Sequence, residues 1–561
     1  MSADPSTAER TPLLQRRSLS PASSSISKSA GSFHSGESNL KDEEGSYISP
    51  SRGVVIAVSI GVLIFLQAIN ISIMTTTQSS IAADLDAFDK TTWLQSSYLI
   101  AMSSLAPLMG RLSQLFSPRL CMFCSTLAVV IGTIITSLSV SFEMFMVGRV
   151  ITGAGAGGIL IVATIIVIQI AGPKRRGLHI GLVNAGMTAG VSLGAVIGGA
   201  FEPKIGWKVL FGIQVPIALL AGFGLLLSIP AKYEAGASKN SNLSLRQKIS
   251  TIDYSGALLL ISTIVLFLLG LSGHRILATP IVLSALTLPI FVLNEIYVAM
   301  DPIIPITVLK SRGTLLTCLA TVGFMMARYC ILFYTPVYAM AVRDWKPAVA
   351  GSILIPTNAG FASGGLLAGI FHIRRDGSFY LPSVISMGLF PLTFLLLEFI
   401  STPDSSWTLY VLSVFINGLL TGASLNYTLV HLLHLTPSSV HPIALSLLAT
   451  FRGFAGSFGA AIGGGFFERV LRKSLVEGFK NAGHEGSKDL IRRLMGSPQL
   501  VGQLEGKEKE IAVHAYQSGI KALFLGAMAL GIIVVFIQAG TGWKEAVDHE
   551  ATQEPEEADQ D

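Results

Sequence analysis

An all-α integral membrane protein with fourteen transmembrane helices is the fold class that this sequence predicts, on three observations. Hydrophobic residues make up 51% of the 561 and charged residues 13%, with a mean hydropathy of +0.62, far from the balance of a soluble chain. Fourteen stretches approach the roughly 20 apolar residues that a helix needs to cross hydrocarbon. Lysine and arginine collect in alternate short connections, which is how charge sets orientation in a bilayer.

The stretches run 54–76, 93–113, 119–139, 144–167, 177–200, 209–229, 253–272, 279–299, 314–338, 347–370, 379–400, 408–434, 443–466 and 518–538. Pro280 and Pro289 interrupt the eighth, making it the least regular. With the amino terminus in the cytosol, the even connections hold Lys174, Arg175 and Arg176, then Lys232, Arg246 and Lys248, then Lys310 and Arg312, then Arg374 and Arg375. The odd ones are poorer. Segment 467–517 is basic on the far side, but at about fifty residues it nears the length where the bias fades. Both termini are therefore expected in the cytosol.

Three pieces lie outside the spans. Residues 1–50 are serine-rich and polar, without apolar periodicity, so disorder and no cleavable signal peptide are expected. Within them Glu9, Leu13 and Leu14 form an ExxxLL pattern like an acidic dileucine sorting signal, which a clathrin-type adaptor reads, although so short a pattern also arises by chance. Segment 467–517 carries Leu490, Ile491 and Leu494 at helical spacing and predicts an amphipathic helix pair in a lumenal or extracellular loop. Residues 539–561 form an acidic cytosolic tail. The remainder divides into an amino-terminal six-helix bundle (54–229), a linker with two extra helices (230–313) and a carboxyl-terminal six-helix bundle (314–538).

Several classes of function are excluded. Four cysteines in this length make no disulfide framework, and the lone pair Cys121 and Cys124 has no second pair to complete a metal site. Net charge is +5, but the positive residues sit between apolar spans, where they report topology rather than nucleic-acid binding. No nucleophile–base pair, phosphate loop or metal cluster has its required context, so no enzyme activity, cofactor or metal is expected.

On the fifth stretch Gly186, Gly190, Gly194 and Gly198 recur every fourth residue, with Gly199 beside the last. That spacing drifts only about 40° per step around a helix. It leaves a bare stripe on which a second backbone can lie close, a generic packing device in membranes. The longer pattern, Gly181, Gly190, Gly194, Ala195, Gly198 and Gly199, resembles the antiporter signature of major facilitator superfamily drug:proton antiporters, with Ala195 where that signature has proline.

Other motifs resemble the same superfamily. Gly110, Leu112 and Arg119 fit its cytoplasmic loop motif, while Gln114, Ser117 and Pro118 depart from it. Arg149 followed by Gly153, Gly155, Gly157 and Gly158 resembles its fourth-helix motif, in which the arginine is tied to proton transfer. An arginine inside a span faces a bundle interior by default; snorkelling to the interface is the other reading. Gly206, Trp207 and Lys208, with Tyr334, Pro336, Pro347, Pro356, Arg452 and Gly453 later, resemble the fourteen-helix branch, including fungal multidrug and vacuolar amino acid permeases. The resemblance covers about residues 54–540. It implies two six-helix bundles plus two extra central helices, with substrate near the midplane between the bundles.

Polar residues deep in the spans mark a candidate substrate cavity: Gln67, Asn70, Arg328, Tyr334, Asn358, Asn426 and Arg452. Each alone is as compatible with a helix-to-helix hydrogen bond. Proton coupling ordinarily uses a carboxylate in a partly dry cavity. Stretches 1–6 have none near their middles, and Gln67 stands where relatives commonly place an aspartate. Glu295, Glu398, His431 and His434, near span ends, remain by elimination.

The resemblance implies a secondary active transporter that exports a drug, toxin or secondary metabolite from the cytosol, with proton coupling as the superfamily's usual energy source. Vacuolar uptake of basic amino acids is the alternative, and a non-transporting nutrient sensor a remote one. The expected location is the plasma or vacuolar membrane, and the expected partners are a small-molecule substrate and the bilayer. Short of intramembrane acids to meet a cation, the spans favour neutral or anionic substrates.

Overall fold

The computed structural model describes residues 49–170, 176–229, 252–273, 275–299, 302–304, 310–373, 379–437, 441–483 and 488–542. Glu9, Leu13, Leu14, the basic pairs Lys174–Arg175 and Arg374–Arg375, and the acidic tail from 543 lie outside those residues.

The amino-terminal half comprises α1 (Pro50–Ser72), α2 (Met74–Asp84), α3 (Thr91–Leu115), α4 (Pro118–Ser137), α5 (Phe142–Ile170), α6 (Arg176–Gly212) and α7 (Gln214–Ser228). The pair α8 (Tyr254–Leu271) and α9 (Ala278–Tyr297) follows. The carboxyl-terminal half comprises α10 (Arg312–Ala341), α11 (Pro347–Ser352), α12 (Leu354–Leu367), α13 (Tyr380–Ile400), α14 (Trp407–His434), α15 (His441–Phe458), α16 (Gly464–Asn481), α17 (Lys488–Gly496) and α18 (Gly506–Ala539). A five-residue π-helical turn, Gly459–Gly463, joins α15 to α16. All fourteen predicted stretches are helical, with single-residue breaks such as Ile73 and Ile353. Among the described residues, eleven helices are long and apolar enough to cross a membrane.

Local chemistry sets the breaks. Inside α6, Gly206 has φ 75° and ψ 156°, a conformation open to glycine and costly for other residues. The chain turns there between the glycine stripe and Trp207. Ser117 accepts a hydrogen bond from Leu120 N at 3.1 Å with Pro118 at the first helical position, a favoured way to begin a helix. Two of the three residues that depart from the loop motif, Ser117 and Pro118, thus build the start of α4. Pro280 falls in the first turn of α9, where no amide partner is lost, and the helix continues unbroken to Tyr297 with Pro289 inside it.

Segment 467–517 differs from expectation. The flanking membrane helices continue into it: α16 runs to Asn481 and α18 starts at Gly506, with only α17 and a 3-10 turn between them. Leu471, Leu475 and Phe479 bury one face of α16 against Ala512, Ala515 and Tyr516. That apolar register extends the helices beyond the range that hydropathy selects.

Within the amino-terminal half the core gathers around Ile69, Ile73, Phe145, Trp207 and Phe211. In the carboxyl-terminal half it gathers around Phe324, Phe390, Phe394, Tyr516 and Phe524. The pair α8–α9 is tied by Thr263 and Thr287 hydroxyls at 2.8 Å and packs on α3 and the carboxyl-terminal half. Leu220, Leu227, Leu286 and Phe536 are among many large apolar side chains left exposed, as a lipid-facing surface requires.

Candidate functional site

Arg149 enters α5 seven residues after its start and is 1% exposed. The helix turns it inward, so it does not snorkel. Its Nη1 donates to Asn70 Oδ1 at 3.0 Å and its Nη2 to the Asn70 carbonyl at 3.3 Å. Asn70 Nδ2 in turn donates to Gln214 Oε1 at 2.5 Å, and Gln214 Nε2 to the Leu210 carbonyl at 3.3 Å. The guanidinium lies 4.5 Å from the centre of the Tyr98 ring and 5.8 Å from that of Phe211, close enough for attraction to the ring faces. Tyr98 donates to the Gln67 carbonyl at 3.3 Å. Gln67 Nε2 reaches Met102 sulfur at 3.3 Å, while Gln67 Oε1 and Arg149 Nε are buried without partners.

The carboxyl-terminal half repeats this arrangement with different residues. Arg328, on α10, is 2% exposed. It donates to the Thr357 carbonyl at 3.1 Å, Asn358 Oδ1 at 3.2 Å and Asn417 Oδ1 at 3.4 Å. Asn417 Nδ2 passes the chain on to Thr393 Oγ1 at 2.8 Å. Asn358 Nδ2 is buried and unpartnered. Among the described residues, neither Arg149 nor Arg328 pairs with a carboxylate. Each is a buried cation held by neutral dipoles, an arrangement that leaves net positive potential in a low-dielectric interior.

Close helix approach allows these clusters. A Cβ on Gly153 or Gly157 would strike the carbonyl of Tyr98 or of Met102, and one on Gly155 would meet Val129 N at 2.7 Å. The glycine run therefore seats α5 between α3 and α4. The stripe on α6 does two things. A Cβ on Gly190 would lie 2.5 Å from Ala68 Cβ, and one on Gly198 would lie 2.6 Å from Thr76 Oγ1. Gly194 faces Ser72 and Ile69, so these three glycines press α6 onto α1 and α2. Gly199 turns to the other half, where a Cβ would lie 2.5 Å from the Pro347 carbonyl carbon. Ala195 accompanies it: a Cβ on Gly351 would lie 2.7 Å from its carbonyl. Gly181 lies farther back on α6, and Gly110 meets only Ile161 at 3.5 Å.

The remaining candidates take separate places. Asn426 spends its amide on the Gly365 carbonyl at 2.5 Å, pinning α14 to α12. Arg452 is half-buried on α15. Tyr334 packs on Phe467, ring centres 4.7 Å apart. Arg119 is half-buried on the first turn of α4. Glu295 accepts from the amides of Ile303 and Ile304 at 3.3 and 3.4 Å, Glu398 faces Lys521 at 3.8 Å, and His431 meets Thr541 at 3.2 Å. These three have local structural partners.

The halves meet along one end and in the middle. Ser103 on α3 donates to Ser457 on α15 at 2.9 Å. Arg492 on α17 pairs with Asp86 at 3.0 Å and Asp89 at 3.3 Å, and Gln499 donates to the Thr76 carbonyl at 3.2 Å. Glu468 on α16 accepts from Thr92 N at 3.2 Å, from Thr91 Oγ1 at 3.4 Å and from Thr92 Oγ1. Sequence reasoning missed Glu468 because it falls two residues beyond the apolar stretch 443–466. The continuing 3.6-residue spacing of Leu471, Leu475 and Phe479 was the signal available.

A family model described as Major Facilitator Superfamily matches residues 60–460. Efflux pump dotC of Dothistroma septosporum is 23% identical, over 89% of this chain and 86% of its own length. The vacuolar membrane amino acid uptake transporter fnx2 of Schizosaccharomyces pombe is 26% identical, over 77% and 75%. A bacterial homolog of the human lysosomal transporter Spinster, solved inward-facing and unoccupied, shares the fold with TM-score 0.58 at 16% identity, over 88% of this chain and 97% of that one.

Proposed function

The chain belongs to the Major Facilitator Superfamily, and from that premise we propose that it exports small neutral or anionic organic molecules from the cytosol by proton-coupled alternating access. It is a multi-pass membrane transport protein and not an enzyme, related to efflux pumps and to a vacuolar amino acid transporter. The observation that carries the substrate class is the matched pair of buried, acid-free arginine clusters, Arg149 with Asn70 and Arg328 with Asn358, one in each half. A cationic substrate would raise the positive potential further, whereas a carboxylate or uncharged polar group lowers it or leaves it unchanged.

The same reading makes 54–229 and 314–538 two six-helix bundles, with 230–313 as an inserted pair. Fourteen crossings result when the long apolar segment Ala185–Ser228 is divided at Gly206 and when α3 and the α15–α16 helix are counted. The proposed transport residues are Arg149, Arg328, Asn70, Asn358 and the glycines that seat their helices; Tyr334, Asn426 and Arg452 support the cavity walls.

Flux into sealed vesicles with an imposed pH gradient tests this. The expected result is gradient-driven movement of weak organic acids or uncharged drugs, with little of lysine or arginine. A gradient-driven flux of basic amino acids would instead establish the second reading, uptake into a vacuole, which the likeness to fnx2 favours. The Glu9, Leu13, Leu14 pattern bears on that reading too, as a signal for a clathrin-type adaptor. Replacing both leucines with alanine moves a fluorescent fusion from vacuole to cell surface if the pattern is read, and an unchanged location removes it from the account.

A further inference from the structure

Glu468 is, with Glu295, one of two buried acids among the described residues that neither the transport motifs nor the arginine clusters use. It is 4% exposed and reaches across from the carboxyl-terminal half to the first turn of α3 in the amino-terminal half. That end also carries the Arg492 bridge to Asp86 and Asp89, the seat of Gly496 on Phe88 and the bond from Gln499 to Thr76. The charge pattern puts it outside the cytosol. With the halves in contact at this end, the carboxyl group is buried.

The groups facing Glu468 are few. From α3 come Thr91 and Thr92, hydroxyls and an amide that donate to Oε1 alone. From α10 and α18 come the phenols of Tyr334 and Tyr516, which feel its charge. On its own helix Arg469 is the neighbouring cation, but its Nη1 is committed to the carbonyls of Leu271 and Gly273, at 3.2 and 2.9 Å. Lys90, one residue before α3, sits 4.6 Å from the centre of the Phe142 ring.

Resting on the reading above as a proton-coupled transporter, we propose that Glu468 takes up a proton as this end closes, which makes it the proton-binding residue of the outer gate. When the end is open, water solvates the carboxylate. Closing removes that water and supplies donors to one oxygen, with no cation from the described residues paired to the other. Burial of an unpaired carboxylate costs more than burial of the neutral acid. A proton from water on the outer side bonds to a carboxylate oxygen, and the neutral acid still accepts from Thr92 through its carbonyl oxygen. The sign follows from linkage. The closed form binds more protons than the open form, so acid favours closure and alkali favours opening, by up to about tenfold in the ratio per pH unit for one proton. That is the sense an exporter driven by inward proton flow requires.

The test uses the full chain in liposomes, with Cys121, Cys124, Cys318 and Cys330 replaced and spin labels at Glu143→Cys and Glu477→Cys, exposed positions on α5 and α16. Distances between labels are read from pH 5 to pH 8. The expected result is a short distance in acid and a growing long-distance population in alkali, a response lost in Glu468→Gln, which stays closed throughout. Glu468→Asp keeps a carboxyl group and a pH response. A pH response undiminished in Glu468→Gln, absent in Glu468→Asp or absent from the unsubstituted chain overturns the proposal. Failure of the transport reading is separate, since it appears as no flux at all by the unsubstituted chain.

Discussion

Arg149 and Arg328 are held by geometry as much as by charge. Arg149 spreads two nitrogens over the side-chain and backbone oxygens of one residue, Asn70, while its plane faces Tyr98. A lysine ammonium is a point charge on a flexible stem and cannot reproduce both bonds and the stacking. Arg149→Lys should therefore lower transport about tenfold or more, as Arg149→Ala should, with surface abundance unchanged; flux normalised to surface-labelled protein is the measurement. At this scale the sequence was partly legible. A charge in an apolar stretch is costly wherever the helix turns it, so Arg149, Arg328, Asn70 and Asn358 stood out. Their pairing did not, because Asn70 and Arg149 lie 79 residues apart and Asn70 and Gln214 lie 144 apart.

Helix α6 illustrates what an element adds. Its glycines look equivalent in sequence, each four residues from the next, yet they meet different neighbours. A Cβ on Gly186 would meet nothing nearer than 3.9 Å, whereas Gly190, Gly194 and Gly198 press on α1 and α2, and Gly199 touches the other half. Three outcomes follow. Gly186→Ala should leave flux and thermal stability near normal. Gly194→Val overpacks the contact with Ile69 and Ser72, a loss of about 1–3 kcal/mol, read as a lower melting temperature in detergent. Gly199→Val collides with the Pro347–Ala348 backbone, so it should hold the halves apart, lengthen the distance between labels at positions 143 and 477, and reduce flux severely. Elements 467–517 teach the converse. Hydropathy ended the helices at 466 and resumed at 518, while the apolar faces of α16 and α18 carry them on to Asn481 and back to Gly506.

For the whole molecule, the proposed fourteen crossings and the lysine and arginine pattern put both termini on one side. Epitope tags at the two ends should be reached by antibody only after the plasma membrane is permeabilised. Asn70-Ile71-Ser72 and Asn426-Tyr427-Thr428 match the N-glycosylation pattern but should carry no sugar, and glycosidase treatment should leave mobility unchanged. Asn70 is bonded to Arg149 and Gln214, and Asn426 to Gly365, so both amides are committed inside the protein. A glycan on either would overturn the helix assignment around it.

The sequence by itself determined that this is a membrane protein and where its apolar stretches lie, though not how far every helix extends. Those properties are local: apolar length, prolines, and basic residues between spans act on the scale of one helix and the bilayer. It also marked the glycine stripe and the buried arginines as departures from a plain apolar span. Only the tertiary structure decided who meets whom. Glu468 and Thr92 are 376 residues apart, and no periodicity within either helix encodes their contact. Helix rotation and depth come from packing against several neighbours at once, so whether a polar side chain becomes a cluster, a gate or a strut is settled when the halves close on each other.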